Sequence, residues 1–273
     1  MIINGKQISE EIRESLREQI STIRHSLRLD IVYVGNDPVI ENFLKIKINF
    51  GKSIGVETVL HRFDENEDEA DIVSQIETIG KYPNSNGMII QLPLPKKFDT
   101  QKILNTVPLE KDVDVLSEKA FEYFTNNDDS IIPPVAGAFM EILRRNNISV
   151  AGKKVVIIGR GRLVGKPFSV CMKKAGADII ELNSTTGDPT PYLLSADIIA
   201  TGIGKPHFIK PDMIHDGVII LDGGTSEKEG KIVGDADPSC AEKCSIFTPV
   251  PGGIGPITVA LLFQNLVSKS NKD

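Results

Sequence analysis

The sequence predicts an α/β protein of two domains, each built around a parallel sheet covered by helices. Short runs rich in Val and Ile alternate with helix-patterned segments almost from end to end, which is typical of parallel sheets. The length of 273 residues suits two moderate domains with separate cores. The segment "TNNDDSIIPP", residues 125–134, breaks the alternation. We therefore place the domain change between residues 120 and 135.

The first half begins with a charged, helix-patterned segment and continues with two predicted strands. "LRLDIVYVG" predicts a buried strand. Asp37 is a suitable N-cap for the next helix, and Pro38 suits its first position. "NGMIIQLPLP" predicts a second strand, which its prolines end. A further helix is expected around "AGAFMEILRRNNI".

The second half contains four apolar runs and a final helix. We expect successive strands at "KVVIIG", "ADIIEL", "ADIIATG" and "GVIILDGG". The final helix is expected to start at Pro256, and "ITVALLFQNLV" has enough apolar residues to pack back on the first domain. We therefore assign residues 1–120 and 256–273 to the first domain and residues 121–255 to the second.

Composition excludes several functional classes. A net charge of -6 and a pI near 5.4 argue against nucleic acid or an anionic membrane as a partner. No stretch of the sequence approaches the length of a membrane span, and the charged start is unlike a signal peptide. Cys171, Cys240 and Cys244 form no paired framework, and two of them lack further ligands for a metal. We expect a cytoplasmic protein without a metal site.

A glycine-rich segment, "KVVIIGRGRLVGKP", predicts dinucleotide binding. A strand runs directly into Gly159, Gly161 and Gly165, and a helix follows, so backbone amides at the helix N-terminus face a pyrophosphate. The spacing has one more residue before the last glycine than the usual G-x-G-x-x-G. A purely structural turn is the alternative. The second domain is thus expected to be Rossmann-like.

Residues near this segment bear on the choice between NADP and NAD. Arg160, Arg162 and Ser184 are candidates to hold a ribose 2′-phosphate, which favours NADP. Glu181, about twenty residues beyond the glycines, is instead a candidate to bind ribose hydroxyls, which favours NAD. Glu181 as a solvated strand residue is the alternative. These residues leave both cofactors open.

The candidates for substrate chemistry lie in the first half. Phe43 and Lys47 share a helix face, so a ring could support a flat heterocycle beside an ammonium; a core ring and a solvated lysine are the alternative. Gln91 ends a predicted strand, where ligands of open sheets gather, or else caps the backbone. Asp112 and Asp114 follow in a loop, either solvated or accepting paired N–H donors from a heterocycle.

The segment "TPVPGGIGPITVALL", residues 248–262, places three prolines and three glycines in and just after one loop. Proline fixes φ, whereas glycine permits a positive φ and close approach to a ligand. The shape of this loop is therefore specified residue by residue. We expect it to form a stiff wall of a binding site.

The sequence resembles the bifunctional methylenetetrahydrofolate dehydrogenase/methenyltetrahydrofolate cyclohydrolase family, the FolD type. The matching segments keep their order over nearly the whole chain: "VGNDPVIENFLKIK", "GMIIQLPLP", "EKDVD", "VVIIGRGRLVGKP", "GKPHFIK", "GDAD" and "TPVPGGIGPITVALL". The resemblance implies reversible, NADP-linked oxidation of methylenetetrahydrofolate and hydrolysis of the product to 10-formyltetrahydrofolate. It also implies a homodimer of two-domain subunits, with the tetrahydrofolate derivative bound in a cleft between the domains.

The resemblance also assigns site residues. Lys47 matches the catalytic lysine, Gln91 the glutamine that tunes it, and Asp114 the aspartate that holds the pterin. Phe43 stands where the family usually has tyrosine. The other implied substrate contacts are Pro251, Gly252 and Gly253. The implied cofactor contacts are Gly159, Arg160, Gly161, Val164, Gly165, Lys166, Pro167, Ser184, Gly204 and Thr258.

Several positions depart from the family pattern. Phe43 lacks the tyrosine hydroxyl near Lys47, which bears on the efficiency of the cyclohydrolase step. Gly161 replaces a serine, Val115 replaces a glycine, "IPPVAG" stands where "PCTPxG" is usual, and the basic residue that often follows the serine is missing after Ser184. Two alternatives follow: a dehydrogenase with weak or no cyclohydrolase activity, and a noncatalytic folate- or nucleotide-binding subunit.

Overall fold

The computed structural model describes residues 1–127 and 131–270, so residues 128–130 of the predicted domain change lie outside the described residues. The chain divides into two compact units. Glu11–Pro133 with Val259–Asp273 contains a three-stranded sheet and is called the three-stranded unit. Met1–Glu10 with Pro134–Thr258 contains a five-stranded sheet and is called the five-stranded unit.

The domain boundaries drawn from the sequence stay a prediction, and these units differ from them at residues 121–133, at residues 256–258 and at the N-terminus. Ile3 N donates to Phe247 O at 2.9 Å, and Phe247 N donates to Met1 O at the same distance. The first residues therefore extend the edge of the five-stranded sheet.

The three-stranded unit alternates strands and helices. Its β1 (Arg28–Val34) and β3 (Gly87–Ile90) match the two predicted strands, whereas β2 (Glu57–Phe63) was not predicted. Its sheet has the order β2-β1-β3, and both strand pairs are parallel. One helix, α1, begins in the five-stranded unit and continues into this one. The elements are α1 (Gly5–Ser21), β1 (Arg28–Val34), α2 (Pro38–Ser53), β2 (Glu57–Phe63), α3 (Glu69–Gly80), β3 (Gly87–Ile90), α4 (Thr100–Leu104) and α5 (Glu118–Asn126).

Helix α2 begins where its cap predicts. Asp37 Oδ1 accepts hydrogen bonds from Val39 N at 2.7 Å and Ile40 N at 3.3 Å, and Pro38 occupies the first turn, where its missing N–H costs no helical bond. The cap fixes the start of the helix that carries Phe43 and Lys47. The core under this sheet includes Val32, Ile76 and Ile90, all buried.

The five-stranded unit is entirely parallel in its main sheet, which has the order β10-β7-β6-β4-β5. The four strands expected from the apolar runs are confirmed as β4 to β7. An antiparallel pair, β8 with β9, was not predicted. The elements are α6 (Pro134–Arg145), β4 (Lys154–Ile158), α7 (Gly165–Lys174), β5 (Asp178–Leu182), α8 (Thr190–Leu193), β6 (Ile198–Thr201), β7 (Ile219–Asp222), β8 (Ser226–Lys228), β9 (Lys231–Val233) and β10 (Ile246–Phe247).

The last helix, α9, spans Ile254–Ser270. The expectation that it starts at Pro256 is wrong by two residues, because a proline is also tolerated within the first turn. The expected packing on the first domain is confirmed within the three-stranded unit. The Phe263 ring stacks on Phe50 with centroids 5.2 Å apart, and Asn265 Nδ2 donates to Val113 O at 2.9 Å. Over residues 1–127 and 131–270, no helix has the length and apolarity needed to cross a membrane.

Candidate functional site

Lys47 and Gln91 meet in the three-stranded unit. Lys47 lies on α2, and its Nζ donates to Gln91 Oε1 at 2.8 Å. Gln91 follows β3 directly, is only 8% exposed, and donates from its Nε2 to Leu92 O at 2.6 Å. This second bond fixes the amide so that its oxygen faces the lysine. Gln91 therefore both caps the backbone and orients Lys47.

The environment of Lys47 favours its neutral form. Burial lowers the pKa of the Lys47 ammonium, and the negative charge of Asp114 opposes that change. The interpretation of Lys47 as a solvated lysine is wrong, because the side chain is half-buried and bonded to Gln91. Phe43 lies one turn earlier on the same helix and is also half-buried. Lys47 is thus held at the carboxyl end of β3, one helical turn from Phe43.

The two aspartates of "EKDVDV" have different surroundings. Asp112 is 3% exposed, and its carboxylate accepts hydrogen bonds from Val115 N at 2.7 Å, Leu116 N at 3.2 Å and Ser117 N at 2.9 Å. Among the described residues, we find no hydrogen-bond donor to the side chain of Asp114. Asp112 is therefore committed to the shape of its loop, whereas Asp114 retains open acceptor positions.

Burial also raises the pKa of Asp114, to about 6. The positive charge of Lys47 acts against this rise, and the charge of Asp112 adds to it. At neutral pH the Asp114 carboxylate is mostly ionised and can accept N–H donors. Lys47 and Asp114 thus form a half-buried pair whose pKa values have moved toward each other.

Val115, directly after Asp114, has a φ of 59°. A β-branched residue in this left-handed region is strained, which explains why a glycine suits the position in the family pattern. The bond from Val115 N to Asp112 helps to hold the strained turn. The same turn fixes the direction in which Asp114 leaves the backbone.

The glycine-rich turn lies between β4 and α7. A Cβ at Gly165 would collide with Gly159 O, so the last glycine lets α7 start close to the strand. No described atom lies within 4 Å of a Cβ built at Gly161, so a serine fits there as well. Val164 and Pro167 are buried and anchor the helix start, whereas the Lys166 side chain is exposed. These features fit a dinucleotide cradle.

Arg160 and Glu181 form an ion pair beside this turn. Arg160 Nε donates to Glu181 Oε2 at 2.6 Å, and the Ser169 hydroxyl also donates to this carboxylate. Both interactions lower the pKa of Glu181, with Ser169 having the larger effect. The interpretation of Glu181 as a solvated strand residue is wrong, because its side chain is only 17% exposed. Sequence reasoning missed the pairing with Arg160.

The remaining cofactor candidates lie at the carboxyl ends of neighbouring strands or on α9. Ser184 is exposed just beyond β5, and Gly204, with a φ of 66°, is exposed beyond β6. Because β4, β5 and β6 are parallel, these two residues and the glycine-rich turn share one edge of the sheet. Thr258 lies within α9, where its hydroxyl donates to Ile254 O at 3.1 Å.

Two buried acids shape the loops at this edge, and sequence reasoning did not single them out. Asp235 accepts from Thr201 Oγ1 at 2.8 Å, Ile203 N at 2.7 Å and Lys205 N at 2.8 Å. It thereby holds the loop that contains Gly204. The available signal was "GDAD", in which a small residue precedes an acid.

The second acid, Asp222, ends β7. It accepts from Gly224 N and Ala236 N, each at 2.8 Å. A Cβ on Gly234 would collide with this carboxylate, and one on Gly224 would collide with Asp235, so both glycines make room for the acids. Burial raises the pKa of Asp222 to about 7.

The loop at residues 248–253 is fastened at several points within the five-stranded unit. Asp222 N donates to Thr248 Oγ1 at 2.6 Å. Gly253 N donates to Pro249 O at 2.8 Å, and a Cβ there would collide with the same oxygen. Gly5 N donates to Gly252 O at 2.9 Å. Pro251 is exposed at the tip of this loop, and the role of the loop as the wall of a binding site stays a prediction.

The described residues contain no group of three or more His, Cys, Asp and Glu side chains placed to hold a metal ion. Cys171, Cys240 and Cys244 are buried, free thiols, and burial raises the pKa of each, to between about 11 and about 12. These thiols are therefore poor nucleophiles.

Family models match both parts of the chain. The model described as the catalytic domain of tetrahydrofolate dehydrogenase/cyclohydrolase matches residues 3–114. The model of the NAD(P)-binding domain of the same proteins matches residues 133–273. The chain belongs to the tetrahydrofolate dehydrogenase/cyclohydrolase family.

Individual members of the tetrahydrofolate dehydrogenase/cyclohydrolase family are similar to this chain over nearly its full length. The bifunctional protein FolD of Nautilia profundicola is 36% identical over 271 residues, covering 97% of this chain and 95% of the relative. The crystal structure of the bifunctional FolD enzyme from Campylobacter jejuni has a TM-score of 0.95 and 30% identity, covering 100% of this chain and 99% of that one. The FolD enzyme of Trypanosoma brucei, solved with NADP and an inhibitor, has the same fold, with a TM-score of 0.95 at 24% identity and coverage of 100% and 97%.

Proposed function

We propose that this chain catalyses two successive reactions of one-carbon metabolism. The first is the reversible, NADP-dependent oxidation of methylenetetrahydrofolate to methenyltetrahydrofolate. The second is the hydrolysis of that product to 10-formyltetrahydrofolate. The observation that carries the proposal is the buried group in which Gln91 orients Lys47 beside Asp114. The family and its bifunctional relatives support the same conclusion.

Asp114 and Phe43 position the folate. The ionised Asp114 carboxylate accepts paired N–H donors from the pterin, and the Phe43 ring offers an apolar face for stacking. Pro251, Gly252 and Gly253 bring stiff backbone to the substrate. These residues hold the substrate in one orientation and exclude water, which is most of what the oxidation requires of the protein.

The cradle at the start of α7 holds the dinucleotide. Gly159 turns the chain with a φ of 91°, Gly165 lets α7 start close to that turn, and amides at the helix N-terminus bind the pyrophosphate. Arg160 and Ser184 hold the ribose 2′-phosphate. The other contacts are Gly161, Val164, Lys166, Pro167, Gly204 and Thr258. When bound, NADP accepts the hydride from the folate.

Lys47 moves the proton in the hydrolysis. A neutral Lys47 amine accepts a proton from water as the water oxygen bonds to the methenyl carbon. The ammonium returns that proton to the nitrogen released when the C–N bond breaks, and the new hydroxyl group loses its remaining proton to solvent as the formyl C=O forms. Gln91 Oε1 accepts a hydrogen bond from one N–H of the amine, which orients the lone pair on the nitrogen. A cationic substrate lowers the pKa of Lys47 further.

A stopped assay with methylenetetrahydrofolate tests both steps. Reduced nucleotide and methenyltetrahydrofolate are followed separately, with NADP or NAD. We expect reduction of NADP without lasting accumulation of the methenyl compound. No reduction of either nucleotide would overturn the proposal and favour a noncatalytic binding subunit.

Lys47→Met sharpens this test. We expect cyclohydrolase turnover to fall by at least about 100-fold, the usual contribution of a positioned general base, with unchanged affinity for the nucleotide. Lys45→Met is the matched control, because Lys45 lies on the same helix with an exposed side chain. Full cyclohydrolase turnover in Lys47→Met would contradict the role of the lysine.

A second candidate function is a dehydrogenase with weak cyclohydrolase activity, and Phe43 is the observation that favours it. Its ring cannot donate or accept a hydrogen bond near Lys47. Accumulation of methenyltetrahydrofolate by the unmodified chain, relieved in Phe43→Tyr, would support this candidate.

We also propose that the chain acts as a cytoplasmic homodimer. Its three free thiols suit a reducing compartment. Light scattering on the purified protein tests the dimer, and a monomeric mass at micromolar concentration would contradict it.

A further inference from the structure

The guanidinium of Arg160 is engaged by a carboxylate before any ligand arrives. Arg160 follows β4, and Glu181 lies on the neighbouring β5, opposite Ile157 in the strand register. The pair therefore forms at the edge of the sheet where the glycine-rich turn lies. Arg160 Nε and Glu181 Oε2 are 2.6 Å apart, and a second guanidinium nitrogen also contacts the same oxygen.

Glu181 is held from more than one side. The Ser169 hydroxyl on α7 donates to Oε1, and Lys173 Nζ lies 4.0 Å from the same oxygen. The Arg160 side chain, in contrast, is 63% exposed. The carboxylate is thus fixed in the fold, while the guanidinium keeps a free face toward solvent.

This arrangement treats two kinds of ribose differently. A 2′-phosphate carries nearly two negative charges and needs Arg160, so its binding must displace Glu181 from the guanidinium or bring like charges together. A 2′-hydroxyl is neutral, and it can donate to the Glu181 carboxylate without breaking the ion pair. Glu181 therefore lowers the affinity for the phosphorylated nucleotide and not the affinity for the unphosphorylated one.

We propose that Glu181 is a specificity-determining residue that weakens binding of a 2′-phosphorylated dinucleotide relative to its unphosphorylated counterpart. This inference rests on the proposed function only in taking the turn at Gly159 as the dinucleotide site. Glu181 makes the preference for NADP smaller than Arg160 and Ser184 alone would provide. A neutral residue at position 181 frees the arginine.

Titration of the purified protein with NADPH and with NADH, followed by nucleotide fluorescence, tests the proposal. For Glu181→Gln we expect the Kd for NADPH to fall by about tenfold, the equivalent of one hydrogen bond to a charged group. The Kd for NADH should stay the same or rise. Glutamine keeps the size of the side chain and an oxygen for Ser169.

Two further variants make the result decisive. Glu181→Thr, a residue suited to a strand, should give the same direction of change if Glu181→Gln folds poorly. Asp178→Asn is the matched control, because it removes a charge from the exposed start of the same strand. It should leave both Kd values within about twofold, as expected for a screened surface charge.

The possible failures are distinguishable. If the unmodified protein binds NADPH but both neutral variants leave the ratio of the two Kd values unchanged, the role of Glu181 is overturned and the proposed function stands. If the unmodified protein binds neither nucleotide, the dinucleotide site is overturned, and this inference fails with it.

Discussion

Two of the buried or half-buried acids in each unit can be compared, and the two pairs are used differently. In the five-stranded unit, Asp222 and Asp235 both accept hydrogen bonds from backbone N–H groups. In the three-stranded unit, Asp112 does so, whereas Asp114 lies beside Lys47. An acid that accepts hydrogen bonds from several backbone N–H groups maintains the shape of a loop. An acid without them keeps its acceptors for a ligand.

The largest effect is expected from removing Asp235, a fully buried acid that accepts three hydrogen bonds. Asp235→Ala leaves Thr201 Oγ1 and the amides of Ile203 and Lys205 without their acceptor, so the free energy of unfolding should fall by roughly 3 kcal/mol or more. Urea unfolding measures the change. Asp212→Ala, an exposed acid in the same unit, should change stability by less than about 0.5 kcal/mol. Equal losses of stability in the two variants would show that Asp235 stabilises the fold no more than an exposed acid does.

A smaller effect is expected in the pH dependence of stability. The pKa of Asp222 is raised to about 7, so the folded state binds a proton that the unfolded state, with a pKa near 3.9, has released. Stability from this group is complete below about pH 4 and is lost as the pH rises through about 7. The loss should approach about 1.4 kcal/mol per pH unit between those values.

Asp222→Asn should remove this slope whatever its absolute stability. The comparison must be made between variant and parent, because the pKa of Asp114 is also raised and contributes in the same direction. Urea unfolding between pH 5 and 8, with the rest of the chain unchanged, provides the measurement. Identical slopes in the two proteins would show that Asp222 is ionised throughout.

The sequence predicts the elements better than the pairings of side chains. Val and Ile periodicity identifies β4 to β7, and the Asp37-Pro38 cap places the start of α2, because both signals are local. The resemblance selects Lys47, Gln91 and Asp114, and the structure shows that Lys47 and Gln91 are in contact.

What the sequence could not show depends on register between distant segments. Arg160 and Glu181 are 21 residues apart, and only the alignment of β4 with β5 brings them together. Residue type and position in one loop do not distinguish Asp112 from Asp114, and only the family resemblance selects Asp114. Their difference comes from the turn at Val115, which directs three backbone amides at Asp112 alone.

The division between Asp112 and Asp114 is tested most directly by measuring Asp112→Asn and Asp114→Asn side by side for urea unfolding and folate turnover. We expect Asp114→Asn to keep or slightly raise the free energy of unfolding, because it removes a half-buried acid with a raised pKa. Turnover should fall by about 100-fold, because the folate loses the contact that orients it. Asp112→Asn should lose about 2 kcal/mol of stability. Full turnover in Asp114→Asn, or equal destabilisation of the two variants, would contradict the account.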